Sequence, residues 1–434
     1  MKTLGLIIAA LAIAPLTATA AAAPWSPPAA IPGAPDATPI LAQSPAGPVA
    51  VYWDELSLTM PISGANLTSY VSPLGPGLEP QPAQLLSQSL NIGSAAAYGN
   101  GQVALDEEQI GIATGPVRGP FAVHHLPMLV RAIAADPAGD IAGVVEQCDP
   151  SGCDPAAPQV VIARHGHAFG HLITVDRKGS DDGTSLAIDP HGRVLVAWDR
   201  NASAYARFIS LAGRLSPVQR LGRVTARPSF DVVLSADGRA AVGWTSQSVD
   251  EGEADSPFTA TLALDGSSGH FGRARVLGRV PVTGEGSYVP YAGLAIALPA
   301  GHSGLAAWTG YQGSRFVVRA ASIRSGRAGT PQTVSDPTID TVLADAAEGP
   351  HGAAVILLLP GRAGENGSAP GPDALTAATH PSGTQTFGTP EPILPVPAAV
   401  DGAYVGIDGA TGAVFAVWRN VGGPLGWSVR TPLG

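Results

Sequence analysis

The chain has 434 residues, of which 13% are charged and 45% are hydrophobic, and it carries 54 glycines and 41 prolines. A low charge content with so many turn-forming residues favours short strands joined by tight turns and excludes a coiled coil. Apolar residues recur regularly, which excludes general disorder. The formal net charge of −10 excludes nucleic acid and anionic membranes as expected partners.

The first 23 residues have the organisation of a secretory signal peptide. Lys2 supplies a short positive region, the apolar stretch LGLIIAALAIAPL follows it, and residues 18–20 (ATA) form a small-residue cleavage signal. We expect cleavage after Ala20 or Ala22. No later apolar run reaches about 18 residues, so no membrane span is expected. The sequence predicts a protein that is secreted or at the cell exterior, with a single domain over residues 24–434.

One hairpin is present twice in nearly the same residues. LAIDPHGRVLVAW covers residues 186–198, and VVLSADGRAAVGW covers residues 232–244. In the first, Asp189 is a favoured first turn residue, Pro190 pre-sets the next φ angle, and Gly192 can adopt the left-handed conformation that closes the turn. The strand after the turn is apolar on both faces, so we expect it to be covered on both sides.

The same turn recurs along the chain, usually with a large apolar residue six positions after its glycine. The glycines are Gly47, Gly101, Gly139, Gly192, Gly238, Gly304, Gly352 and Gly412. The later position holds Trp53, Trp198, Trp244 and Trp418, with Val145 and Leu358 in two further units, and Trp308 has a similar place after the longer turn PAGHSG. The unit with the turn YGNG carries Glu107 there and is the weakest match.

Each hairpin is followed by two more short strands, as in AYARFISLAGRLSPVQRLG, which makes four strands in a unit. Eight units give roughly 51 residues each, slightly more than the 40–45 of a typical propeller blade. Over nearly the whole mature chain this pattern resembles secreted bacterial β-propellers of WD-like and NHL-like architecture. The G-H…W-D pair and the Ser-x-Asp-x-Gly-x-x-Trp box of sialidases are missing, so the resemblance implies a fold and little about activity. We predict an all-β propeller of four-stranded blades, with eight blades, or seven if the YGNG unit is irregular.

The two ends of the chain are predicted to share one blade. The last unit begins normally with YVGIDGATGAVFAVW but ends after its third strand. Residues 24–33 (PWSPPAAIPG) match the missing fourth strand, and Trp25 takes the place that Phe387, Phe271 and Phe169 have in other units. Pairing of residues 25–31 with residues 427–431 would remove two exposed sheet edges.

The aromatic residues and the cysteines each allow two interpretations. The tryptophan series could form a sugar-stacking platform, but tryptophans on strands covered on both faces favour packing between blades. Cys148 and Cys153, the two cysteines of the chain, are predicted to form a disulfide, because the protein is exported and their spacing is not that of a redox C-x-x-C motif. Two cysteines are too few for a structural zinc site.

Histidines and acidic loops are the candidate metal ligands. His165, His167 and His171 lie close together, but Gly166 is predicted to make a turn that splays the first two, so solvated side chains are favoured over a metal site. Acidic residues in three loops and one connection predict an acidic face, either merely solvated or holding Ca²⁺ or a cationic partner. They are Asp149, Asp154, Asp181, Asp182, Asp250, Glu251, Glu253, Asp255 and Glu365.

No catalytic motif stands out: G-x-S-x-G, H-E-x-x-H and the P-loop pattern are missing from the sequence. We therefore expect a non-enzymatic binding or scaffold protein that recognises an extracellular ligand or protein, without a cofactor and as a monomer. The alternative is an extracellular hydrolase or lyase acting on carbohydrate or a lactone, with its site in the central channel. Clustered carboxylates or histidines with perturbed pKa values around the channel would favour the enzyme, whereas Ala, Val and Thr would favour the binding protein.

Overall fold

The structure is a computed structural model that describes residues 24–44, 46–56, 67–87, 92–107, 111–126, 128–146, 157–178, 183–224, 228–246, 258–280, 293–349, 351–360, 375–384, 386–394 and 400–432. These residues form antiparallel strands and one 3₁₀ turn, Gly99–Gly101, which closes the YGNG hairpin. In the part of the chain so described, no helix is long and apolar enough to cross a bilayer.

The strands are numbered in chain order and fall into consecutive groups that we call units 1 to 8. Unit 1 contains β2 (Ile40–Ser44), β3 (Gly47–Leu56), β4 (Leu67–Pro73) and β5 (Gln84–Ser87); unit 2 contains β6 (Ile92–Tyr98), β7 (Gln102–Glu107), β8 (Gly111–Pro116) and β9 (Ala122–His125). Unit 3 contains β10 (Leu129–Ala135), β11 (Ile141–Glu146), β12 (Gln159–Ala163) and β13 (Ile173–Thr174); unit 4 contains β14 (Thr184–Ile188), β15 (Arg193–Arg200), β16 (Ser203–Ser210) and β17 (Gln219–Arg223).

The second half of the chain continues the series. Unit 5 contains β18 (Ser229–Leu234), β19 (Ala240–Ser246), β20 (Phe258–Asp265) and β21 (Arg275–Val280); unit 6 contains β22 (Leu294–Ala297), β23 (Gly304–Gln312), β24 (Arg315–Arg324), β25 (Arg327–Ala328) and β26 (Gln332–Thr333). Unit 7 contains β27 (Thr341–Glu348), β28 (Ala354–Pro360), β29 (Thr376–His380) and β30 (Glu391–Pro392); unit 8 contains β31 (Val400–Ile407), β32 (Val414–Asn420), β33 (Gly426–Arg430) and, from the other end of the chain, β1 (Ala29–Ala30).

Within the described ranges each unit is an antiparallel sheet of four strands, or of five in unit 6, so the predicted all-β architecture is confirmed and is propeller-like. Units 1 and 2 join into one eight-stranded sheet through a single parallel pair, Gln43 with Ala96. Unit 2 contains the YGNG turn and is a regular meander of β6 to β9 despite its weak sequence match.

The repeated turn forms as its residues predict. Asp189 accepts hydrogen bonds at Oδ1 from the backbone N–H groups of His191 and Arg193, both 2.9 Å, and Gly192 has a φ of +72°. Such a φ favours glycine because a Cβ would clash. The longer turn of unit 6 differs from the prediction: the left-handed residue is Gly301, with a φ of +73°, whereas Gly304 begins β23.

The core consists of apolar clusters that each join two consecutive units, because the second strand of each unit is apolar on both faces. In unit 4, Leu195 packs with unit 5, whereas Val194 and Trp198 pack with unit 3. The tryptophans of the repeat are at most 1% exposed: Trp53, Trp198, Trp244, Trp308 and Trp418. They fill the contacts between units, which confirms packing and leaves no sugar-stacking platform on these side chains.

The first residues of the described chain pair with the last strand, as the sequence predicts. In β1, Ala29 pairs with Trp427 and Ala30 with Gly426, and Trp25 forms a bridge with Arg430. Trp25 is 9% exposed and packs in the cluster between units 7 and 8. Phe271 and Phe387 occupy the corresponding clusters, between units 4 and 5 and between units 6 and 7.

Truncation of Trp25 tests how much this terminal strand contributes. Trp25→Ala should lower the free energy of unfolding by about 3 kcal/mol, since it removes a large buried side chain from the contact of units 7 and 8. Thermal unfolding should then begin roughly 3–5 °C earlier. Val421→Ala is the control, because Val421 is 53% exposed in a turn of the same unit. Equal melting temperatures for the two variants would contradict a structural role for the terminal strand.

Candidate functional site

Three carboxyl groups with raised pKa values lie on first strands of two units. Asp231 is on β18 of unit 5, and Asp345 and Glu348 are on β27 of unit 7. A β-bulge between Leu343 and Asp345 shifts the register of β27 against β28. Bulges redirect side chains and are common beside functional sites.

Asp231 and Asp345 make equivalent contacts. Asp231 Oδ2 accepts a 2.6 Å hydrogen bond from the backbone N–H of Ile296 in unit 6, and Asp345 Oδ2 accepts a 2.9 Å bond from the N–H of Val405 in unit 8. Asp231 lies three residues before Leu234, the last residue of β18, and Asp345 lies three residues before Glu348, the last residue of β27. Each carboxyl therefore ties its own unit to the first strand of the next one.

Burial raises the pKa of both aspartates to about 7. For Asp231 the hydrogen bond from Ile296 opposes the rise, and the charge of Asp345 adds to it. At the same position units 3, 4 and 6 have small residues, Ala132, Ser185 and Ala295, whereas unit 8 has Tyr404. The first strands thus combine the small residues expected of a binding protein with the carboxyls expected of an enzyme.

Glu348 departs from the repeat. It stands immediately before the hairpin turn, paired with Ala354. The equivalent position, immediately before the turn, is apolar in units 2 to 6 and in unit 8, and is Gln43 in unit 1; the apolar residues are Ala97, Ala135, Ile188, Leu234, Leu298 and Ile407. A carboxyl group therefore replaces an apolar side chain at the contact between units 6 and 7.

A cavity of about 70 Å³ opens at this contact. Glu348, Arg324, Ser303, Ser322, His380 and Phe387 contribute to its wall. Oε2 of Glu348 is buried and has no hydrogen-bond partner in the part of the chain that the structure describes. Burial raises the pKa of Glu348 to about 8, and the positive charges of Arg239 and Arg324 offset this only partly. The carboxyl group is thus mostly protonated at neutral pH.

The wall opposite Glu348 is held in place by hydrogen bonds. The side-chain amide of Gln332 donates to the carbonyl of Phe387 at 3.3 Å and accepts from its N–H at 3.1 Å. His380 lies 5.2 Å from the Phe387 ring, centroid to centroid, and its Nδ1 is 3.2 Å from the carbonyl of Gly352. Gln219 makes a similar clamp between units 4 and 5: its side-chain amide accepts from the N–H of Phe271 and donates to the carbonyl of Gly269, both at 2.9 Å. The clamp is therefore structural, and the polar cavity is the local addition.

The residues that the sequence singled out are not at this cavity. His165, His167 and His171 are exposed, and the described residues contain no group of three or more His, Cys, Asp or Glu side chains that could hold a metal ion. The predicted disulfide partners, Cys148 and Cys153, lie outside the described residues. So do all the acidic loop residues, Asp149, Asp154, Asp181, Asp182, Asp250, Glu251, Glu253, Asp255 and Glu365, and also the predicted signal peptide.

Sequence reasoning missed Glu348, Asp231 and Asp345, although a signal was present. When the hairpins are aligned on their turns, Glu348, immediately before GPHG, is the charged residue at a position that is apolar in six other units and Gln43 in unit 1. Arg324 is the last residue of β24 and has no comparable sequence signal.

No protein-family model matches the chain, and no curated protein sequence is similar to it. Solved structures with some similarity include hydrazine synthase of Kuenenia stuttgartiensis (12% identity, TM-score 0.46, covering 76% of this chain and 94% of that one). Others are the polysaccharide lyase Uly1 (9%, 0.44, 94% and 100%) and TolB of Acinetobacter baumannii (16%, 0.36, 64% and 62%). With TM-scores below 0.5, these similarities carry no information on activity or ligand.

The three raised pKa values predict how stability depends on pH. A carboxyl whose pKa is higher in the folded than in the unfolded protein stabilises the fold below its unfolded pKa, and this contribution is lost as the pH rises through the folded value. As the pH rises from 5 to 9, ionisation of Asp231, Asp345 and Glu348 should therefore lower the melting temperature. At about 1.36 kcal/mol for each pH unit between pH 5 and the folded pKa, the loss is at most about 3 kcal/mol for each aspartate and about 4 kcal/mol for Glu348.

Asn substitutions separate the contribution of the two aspartates to this pH dependence from that of the other titratable groups. Asp231→Asn and Asp345→Asn keep an acceptor for the backbone N–H and should flatten the decline in melting temperature. Asp336→Asn is the control, since hydrogen bonds from Thr338 hold the pKa of Asp336 below its usual value. A melting temperature that rises from pH 5 to pH 9, or an unchanged profile in both Asn variants, would contradict the assignment.

Proposed function

We propose that the chain is an exported, non-enzymatic binding protein built on a closed, eight-bladed β-propeller, and that it holds a small polar ligand in the cavity between units 6 and 7. In this proposal each unit is one blade. The observation that carries the binding function is the buried, unpartnered Oε2 of Glu348 in that cavity.

Contacts between the last and the first unit support closure of the ring. The Gln43 side chain donates to the carbonyl of Val405 at 3.2 Å, and the N–H of Gly409 donates to the carbonyl of Ala46 at 2.7 Å. Phe415 of unit 8 shares an apolar cluster with Trp53 of unit 1. The regular meander of unit 2 favours eight blades over seven.

The energetic cost of Glu348 supports a binding role. A carboxyl group with an unsatisfied buried oxygen destabilises the fold, because burial removes its hydration without supplying a hydrogen bond. An apolar residue at the same position of the repeat would avoid that cost, as Leu234 does in unit 5. Residues that are unfavourable for stability are characteristic of functional sites.

Export and the disulfide are part of this proposal and rest on the sequence alone. A mature N-terminus at Ala21 or Ala23, found by sequencing the exported protein, would support the signal peptide. A non-reduced peptide containing Cys148 and Cys153 should have the mass of the disulfide, two hydrogens lighter than the dithiol. Two free thiols in the native protein, or a mature chain that retains Lys2, would contradict these parts of the proposal.

Replacement of Glu348 by leucine tests the binding function. Glu348→Leu restores the apolar residue of the repeat and should raise the free energy of unfolding by about 1–2 kcal/mol at pH 8, while removing ligand binding. A thermal-shift screen with a library of small polar molecules should find compounds that stabilise the wild type and not this variant. Glu79→Leu is the control, because Glu79 is exposed. The proposal fails if Glu348→Leu is destabilised or if every stabilising compound acts equally on both proteins.

The two aspartates favour a second candidate, the hydrolase or lyase acting on carbohydrate or a lactone. In a closed ring, Asp231 and Asp345 would lie on the strands around the channel, and a pKa of about 7 suits general acid–base catalysis. Turnover of carbohydrate or lactone substrates that is lost in both Asn variants, with melting curves intact, would favour the enzyme. Each aspartate accepts a hydrogen bond from the next unit, which favours a structural role, so a non-enzymatic binding protein remains the proposal.

A further inference from the structure

The charges around the cavity between units 6 and 7 define which ligand it can accept. Arg239 is paired with Asp237 at 2.8 Å and donates to the carbonyl of Pro299. Arg324 is exposed at the cavity and makes no hydrogen bond or ion pair with any described residue. Because Glu348 is mostly protonated at neutral pH, the guanidinium of Arg324 is the uncompensated charge at the site. The local field is positive.

The polar groups that are free to bind include several hydroxyl groups, which can donate or accept hydrogen bonds. The hydroxyl groups of Ser303, Ser322 and Thr330 line the cavity, and none of them forms a hydrogen bond within the described ranges. The protonated carboxyl of Glu348 is a further donor. Oγ of Ser303 and Oε1 of Glu348 are both close to Gly352, since each lies 4.0 Å from the position that a Cβ on this glycine would occupy. Gln332 is already engaged by Phe387.

We propose that this cavity binds a small hydroxycarboxylate, whose carboxylate pairs with Arg324 while Glu348, in its protonated form, donates a hydrogen bond to the ligand. This inference rests on the proposed binding function and adds the chemical class of the ligand. Arginine suits the role because its planar fork of donors matches a carboxylate. Phe387 and Leu305 supply an apolar wall for the carbon skeleton.

Binding is coupled to one proton in this arrangement. The ionised form of Glu348 would repel a bound carboxylate and lose its donor hydrogen, so only the protonated protein is competent. The titratable and charged groups near Glu348 are Arg239 with Asp237 from unit 5, Arg324 and His302 from unit 6, and His351 and His380 from unit 7. The Glu348→Gln variant separates the titration of Glu348 from that of these other groups.

The size of the pH effect on ligand affinity follows from the fraction of Glu348 that is protonated. With a pKa of about 8, roughly nine tenths of Glu348 is protonated at pH 7 and roughly one tenth at pH 9, so the apparent affinity should fall about tenfold. Glu348→Gln keeps a hydrogen-bond donor and cannot ionise. This variant should bind at pH 7 and lose the pH dependence.

The test uses lactate as the probe and propane-1,2-diol as its neutral counterpart, measured by isothermal titration calorimetry on the mature protein. A ligand of this size should bind with a Kd on the order of 1 mM at pH 7. The diol should bind at least about tenfold more weakly, as should lactate to Arg324→Ala, because each change removes the charge pair. Arg327→Ala is the matched control: Arg327 is exposed, lies opposite Arg324 in the hairpin of β24 and β25, and does not line the cavity.

The outcomes separate this inference from the binding function itself. Equal binding of lactate and the diol, or unchanged lactate binding to Arg324→Ala, would contradict the pairing of a ligand carboxylate with Arg324. The cavity would still be a site for a polar ligand. Lactate binding that does not weaken at pH 9 in the wild type, or that weakens equally in Glu348→Gln, would overturn the proton coupling. If lactate does not bind at all, the hydroxycarboxylate is wrong, and the library screen against Glu348→Leu then decides whether the cavity binds any ligand.

Discussion

A four-stranded unit of this protein has two apolar faces and cannot bury either of them alone. The second strand of each unit carries apolar residues on both sides, as Val194 and Leu195 do in unit 4, and each side packs with a different neighbour. Every unit therefore depends on the units before and after it, which is the physical basis of repeat proteins. The first and last units face the same demand. The pairing of β1 with β33 and the shared cluster of Phe415 and Trp53 meet it.

Glu348 is conspicuous because six other units have an apolar residue at its position, immediately before the hairpin turn. The repeat supplies a ready comparison for each position, and Leu234 shows what a purely structural residue looks like before the turn. The clamp of Gln332 on Phe387 also occurs between units 4 and 5, so it belongs to the scaffold. What remains specific to units 6 and 7 is a buried carboxyl without a partner, an unpaired arginine and a set of free hydroxyl groups around a cavity. Asp231 and Asp345 differ from Glu348, since each is occupied by a backbone N–H of the next unit.

Much of the fold could be predicted from the sequence, because turn chemistry and strand periodicity are local. The turn glycines, the burial of the tryptophans and the pairing of Trp25 with the final strand all followed from residue types at fixed spacing. The turn of unit 6 was placed wrongly at Gly304, since two glycines lay within the longer loop and only backbone geometry selects Gly301. The site was not predicted, because Glu348, Arg324 and His380 come from different strands and meet through packing of two units. Their individual sequence contexts contain no motif.

The neutral, unpartnered carboxyl group of Glu348 at physiological pH is what the binding function of the cavity depends on. Infrared difference spectroscopy of the folded protein, titrated from pH 5 to pH 10 and compared with Glu348→Gln, measures this directly through the C=O stretch of a protonated carboxyl. We expect the wild type to show such a band, which disappears as the pH rises with a midpoint near pH 8. The Gln variant should lack this band. A midpoint for Glu348 near the ordinary value of 4.5 would contradict it.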